Sequence, residues 1–130
     1  MEDTFKALEI LSERVSKVFA ENDALKMAIN CSHEGIAILN KEGIYTYINK
    51  AHEEMFKYEK GEMLGQSWTI LYSDKQIKYF TDEVFPIIAK DGKWSGRDVA
   101  ICKDGSLQAE RVFLTSLPDG GLICLCIKEG

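Results

Sequence analysis

No apolar run in the chain approaches the ~20 residues that cross a bilayer, and nothing before Asp23 resembles a signal peptide. Basic charge is also short: 16 Lys and Arg stand against 21 Asp and Glu, for a net charge of -5. That balance argues against a basic nucleic-acid-binding face. Histidine is almost missing, with only His33 and His52. His33 sits in the polar turn Ser32-His33-Glu34-Gly35 and His52 in the first turn of a short helix, so both are expected as solvated surface groups. Neither has a Ser or Cys partner in its sequence context. There is no phosphate loop, no H-E-x-x-H and no nucleophile elbow. The carboxylate pairs Glu53-Glu54 and Asp82-Glu83 fall at helix starts, where the dipole accounts for them. The chain therefore reads as a non-enzyme. Its four cysteines include no C-x-x-C. Cys124 and Cys126 are two apart in an apolar strand, on one face but too far apart to bridge easily. The four are expected as buried small hydrophobes in a reducing, cytoplasmic compartment, with no metal site.

What is present describes one ordinary globular domain of 130 residues, 45% apolar and 28% charged. Residues 2–22 contain neither Gly nor Pro. Leu8, Leu11, Val15, Val18, Asn22, Leu25 and Ile29 alternate by three and four, a heptad a/d pattern, widened by Phe5, Ile10 and Phe19. Asn22 either sets the register of a coiled coil, or Asn22-Asp23 breaks the helix and Asp23 caps a second one from Ala24 to Cys31. The break is the expectation, which gives an amphipathic dimerisation helix over residues 1–22 and a domain over 23–130.

Strand patterns follow at Gly35–Leu39, Ile44–Ile48, Trp94–Cys102, Leu107–Ser116 and Leu122–Lys128, the last three joined at two Asp-Gly turns. Leu122–Ile127 and Ile36–Leu39 are apolar on both faces, so the sheet needs cover on both sides. Helices between residues 49 and 91 cover one. The N-terminal helix, from the same chain or a partner, is the natural cover for the other. Pro86 should kink the last of these helices or mark its first turn.

At the centre of the chain a strand ends at Ile48, Asn49 is a good N-cap, and Ala51, Met55 and Phe56 form an apolar stripe. A short turn with Met63 and Leu64 follows, ended by Gly65, then Gln-Ser-Trp68. Later come Gly92-Lys-Trp94-Ser-Gly96, Lys103-Asp104-Gly105 and Pro118-Asp119-Gly120-Gly121. In that order and spacing, over residues 24–128, these motifs resemble the PAS domain, the small sensory module of signalling proteins. The resemblance implies an α+β fold: a five-stranded antiparallel sheet in the order 2-1-5-4-3 with helices on one face.

The resemblance also frames the cofactor. Light-sensing flavin members carry a reactive Cys in G-x-N-C-R, and the matching Gly65-Gln-Ser-Trp68 has none, which argues against a covalent flavin adduct. Haem-binding members supply an axial His from the later helix, and residues 75–91 contain none, which argues against haem. Non-covalent flavin or a small metabolite stays open. The candidate pocket residues are Asn49, Met55, Phe56, Met63, Leu64, Trp68, Tyr72, Phe80 and Phe85, which equally make a close-packed core.

PAS domains commonly end in D-I-T before the helix to an output domain, and here the chain stops at Lys128-Glu129-Gly130. The expectation is a fragment of a larger signal-transduction protein, such as a two-component sensor histidine kinase, a nucleotide cyclase or a transcriptional regulator. In it the domain is a sensor and homodimerisation module, with Leu8, Leu11, Val15, Val18 and Phe19 as the coupling helix. The alternative is a ligand-free, constitutive interaction module.

Overall fold

The structure, a computed structural model, describes residues 2–130; the side chains of residue 2 and of residues 15–20 lie outside the description. The chain divides into two units, residues 1–31 and 32–130.

The first unit is a single helix, α1 (Glu2–Asn30), of 29 residues. The expected break at Asn22-Asp23 does not occur. No Gly or Pro interrupts the segment, and a polar residue such as Asn or Asp costs an exposed helix interior only about 0.7 kcal/mol. Strong helix formers on both sides carry the helix through. The unit boundary therefore falls after Cys31 rather than Asn22, and the a/d pattern from Leu8 to Ile29 lies on one uninterrupted helix. Leu8, Leu11 and Leu25 are each more than half exposed; the coupling positions Val15, Val18 and Phe19 fall on side chains outside the described residues. Cys31 is exposed, against the expectation that all four cysteines are buried.

The second unit is a five-stranded antiparallel sheet with strand order β2-β1-β5-β4-β3. Its strands are β1 (Gly35–Leu39), β2 (Tyr45–Ile48), β3 (Lys93–Ile101), β4 (Leu107–Ser116) and β5 (Leu122–Lys128). Between β2 and β3 lie α2 (Lys50–Met55), a 3-10 turn (Trp68–Leu71), α3 (Asp74–Tyr79), a π turn (Phe80–Val84) and α4 (Phe85–Asp91). Alternation along each strand places Ala37, Leu39, Ala100, Val112, Leu114, Cys124 and Cys126 on one face. There they pack with Met55, Phe56, Met63, Leu71, Phe80, Val84 and Ile88 as the core. On the opposite face Ile123, Ile127 and Val99 stay more than a third exposed, so the sheet is apolar on both sides as its sequence predicts.

Two local devices position the interior. The side-chain carbonyl of Asn49 accepts from His52 N at 3.0 Å and from Ile36 N at 2.8 Å. Its amide donates to Glu34 O at 3.0 Å. One fully buried side chain thus caps α2 and ties it to β1. The second device follows from Pro86. Proline donates no hydrogen bond, and its ring crowds the carbonyl four residues back. The turn before it opens accordingly, and the amide of Phe85 reaches five residues back to Phe80 O. Pro86 then sits in the first turn of α4, one of the two roles its sequence position allows.

Candidate functional site

Between the sheet and the helices lies a small cavity of about 30 Å³. Five aromatic rings line it: Tyr45, Trp68, Tyr72, Phe80 and Phe85. Four of the rings contact one another, with centroids 5.1 Å apart for Tyr72–Phe80, 5.3 Å for Trp68–Phe85 and 5.7 Å for Trp68–Phe80, within the range favoured by offset and edge-on pairs. Trp94 adds a further edge-on contact to Phe80 at 5.8 Å. Trp94 in turn lies over Gly96, where a β-carbon would overlap the indole; this is the physical content of the Gly-x-Trp-x-Gly spacing.

His52 also lines the cavity and overturns its sequence reading. It is only 1% exposed, stacked edge-on between Tyr45 at 5.6 Å and Phe56 at 4.8 Å. The reason is close approach: α2 sits so near β1 that a β-carbon on Gly35 would lie 3.1 Å from the His52 Cα. A helix that near turns its third residue into the core rather than to solvent. Burial lowers the His52 pKa to about 4, so the ring is neutral, and its Nδ1 has no hydrogen-bond partner among the described residues. His33 is exposed, as expected.

Beside the cavity stands a group that the sequence reading missed. Asp98 on β3 and Glu110 on β4 are cross-strand partners on the buried face. Asp98 is 6% exposed and Glu110 fully buried. The Tyr72 hydroxyl donates to Glu110 Oε1 at 2.6 Å. Both Asp98 oxygens and Glu110 Oε2 lack a donor among the described residues. Burial raises both carboxyl pKa values, Asp98 further through the neighbouring Glu110. A proton held between them supplies the donor the pair otherwise lacks, and two adjacent buried carboxylates would not both ionise. The signal was legible in the alternation: Asp98 is in phase with Ala100, and Glu110 with Val112 and Leu114, on the apolar side of their strands.

Of the candidate pocket residues, the structure brings Trp68, Tyr72, Phe80 and Phe85 together on the cavity wall. Met55, Phe56 and Met63 are buried in the same core but are not part of that wall, and Leu64 is about half exposed. Asn49 serves the strand–helix junction described above. Cys102, Cys124 and Cys126 are buried free thiols; burial pushes the Cys124 thiol up to about 12, which leaves it inert. No cluster of three metal-ligating side chains occurs among the described residues. None of their helices is long and apolar enough to cross a membrane.

A sheet in the order 2-1-5-4-3, covered on one face by short helices around a small aromatic cavity, defines a compact α+β domain of one recognisable class. A family model for the PAS domain matches residues 33–127, and the chain belongs to that family. Among solved structures it is similar to a PAS domain from Colwellia psychrerythraea (TM-score 0.76, 20% identity, covering 85% of this chain and 97% of that one). It is also similar to a PAS domain from a two-component sensor histidine kinase (TM-score 0.74, 15% identity, covering 86% and 99%). A third is the PAS domain, in complex with ethanol, of a LuxR-family transcriptional regulator from Burkholderia thailandensis (TM-score 0.73, 15% identity, covering 79% and 95%). At these identities the likeness is one of fold.

Proposed function

We propose that this chain is the sensory module of a larger signal-transduction protein, taking a small molecule into its helical half and passing the change to an output domain. The observation that carries this reading is the aromatic cavity lined in part by His52, a buried side chain whose Nδ1 has no hydrogen-bond partner among the described residues. A buried polar atom without a partner costs about 1–3 kcal/mol, a cost that a bound molecule able to reach it removes. The cavity takes a group of only a few heavy atoms, well below the roughly 300–1,000 Å³ of drug-sized sites. A similar domain has been solved in complex with ethanol, a molecule of that size. The domain is read as non-enzymatic and cytoplasmic.

The coupling element in this reading is α1. Its a/d positions run unbroken through Asn22, the arrangement of a parallel two-stranded coiled coil in which one polar a residue fixes the register. The exposed Leu8, Leu11 and Leu25 and the apolar outer face of the sheet then find cover in a homodimer. An output module of the sensor-kinase or transcriptional-regulator kind is the expected downstream partner.

The small cavity also supports a second reading, a constitutive dimerisation module without ligand. Mass spectrometry of whatever the purified protein releases on denaturation, with its absorption spectrum, separates the two. A released metabolite or a flavin spectrum supports the sensor; a colourless protein releasing nothing supports the interaction module. Light scattering tests the dimer: Leu11→Glu with Val15→Glu should halve the mass, and an unchanged mass overturns the role given to α1.

A further inference from the structure

The cavity wall carries no positive charge to meet an anion, and its donors are confined to neutral groups such as the Trp68 indole N–H and the Tyr45 hydroxyl. No Lys or Arg lines it. His52 is neutral, with Nδ1 unpartnered among the described residues. The Tyr72 hydroxyl has already spent its proton on Glu110 Oε1, so its remaining lone pairs are free to accept. Behind Tyr72 stand the two buried carboxyl groups, which share one proton and so keep one negative charge between them. Their field reaches the wall, since Glu110 helps push Tyr45, Tyr72, Cys124 and Cys126 toward their protonated forms. Five aromatic rings complete the lining, and aromatic rings attract cations over their faces.

We propose that the cavity receives the protonated amino head of a small ligand, held by Tyr72 and His52 and balanced by the Glu110–Asp98 pair. This rests on the sensory-pocket reading and gives its ligand a chemical class. In this arrangement the ammonium donates to Tyr72 Oη, which relays to Glu110, and to Nδ1 of the His52 tautomer protonated on Nε2. A water needs ~10–15 Å³ measured in this way, so about 30 Å³ takes a head of two or three heavy atoms. Leu39, Trp68, Phe85 and Leu122 are shared with an open groove of about 490 Å³ lined by Asn40–Gly43, α4 and the β4–β5 turn. The body of a longer amine would lie there.

Three probes of matched size separate the alternatives: ethylammonium, ethanol and acetate, added at equal ionic strength to isotopically labelled protein and followed by amide NMR shifts. Ethylammonium is expected to move the resonances of Leu71, Tyr72, Val112 and Cys126 and to bind about tenfold more tightly than ethanol, with acetate inert. Glu110→Gln, which keeps an acceptor for Tyr72, should erase that preference and leave ethanol binding within about twofold. Asp98→Asn serves as the second variant if the first does not fold. If ethanol binds as tightly as ethylammonium, or the preference survives in both variants, the cationic assignment is overturned while the pocket reading stands. If no probe moves the cavity resonances, both are overturned; if neither variant folds, the wild-type comparison decides.

Discussion

Asp98 and Glu110 face each other across β3 and β4 on the buried side of the sheet, and the hydroxyl of Tyr72 donates to Glu110 Oε1 at 2.6 Å. Two carboxyl groups in such a place make stability depend on pH. The Asp98 carboxyl is pushed up to about 9, and Glu110 is raised as well. The folded state therefore holds a proton that the unfolded chain releases near pH 4. The stability this contributes is complete at low pH and is lost as pH rises toward the folded value. His52 acts in the opposite sense: lowered to about 4 from 6.5, it makes folding more favourable as pH rises between those values. The two largely offset up to pH 6.5; from there to about pH 8, below the range in which the raised Cys124 and Cys126 thiols add a trend of the same sign, the carboxyl pair sets the slope. Urea midpoints should thus fall from pH 6.5 to about 8, by up to ~1 kcal/mol per unit. Glu110→Gln or Asp98→Asn should flatten that slope, and an equally steep slope in both variants would contradict the assignment.

Replacing Asn49 with Ala removes the cap of α2 and leaves Ile36 N and Glu34 O without their side-chain partner. A loss of about 2–4 kcal/mol is expected in urea denaturation. Asn49→Asp keeps the acceptor for Ile36 and His52 but not the donor to Glu34, and should fall between Ala and wild type.

At Gly96 the added methyl of Ala would enter the space occupied by the Trp94 ring. Overpacking of this kind costs about 1–3 kcal/mol. Because Trp94 rests on Phe80, its displacement should also alter the near-ultraviolet circular dichroism. A Gly96→Ala protein with wild-type stability and spectrum would show that the indole has other room.

Asn22→Leu tests the continuous register of α1. If the helix pairs in parallel through its a/d positions, removing the one polar a residue should tighten association and admit higher oligomers. Analytical ultracentrifugation reads both; a dissociation constant unchanged from wild type would remove Asn22 from the interface.

Much of the fold was legible because it is local. Turn residues such as Asp104-Gly105 and Asp119-Gly120 delimit strands whose alternation is visible over a few residues. Asn49 announces the start of α2 by its own chemistry, and Pro86 constrains the helix in which it lies. The continuity of α1 was harder to read because Asn22-Asp23 is compatible with both a cap and an exposed helix interior, and intrinsic preferences of a few tenths of a kcal/mol do not separate them.

The site itself was decided by tertiary structure. Tyr72 and Glu110 are 38 residues apart, and Trp68 and Phe85 meet only because the Phe80–Val84 turn returns the chain against the sheet. His52 looks like a surface residue until Gly35 allows α2 to settle on β1. The sequence alone determined which faces are apolar and where the chain turns, since period and turn chemistry act over neighbouring residues. Which polar groups end up buried together depends on strands that become neighbours across long separations, and only the packed sheet sets that.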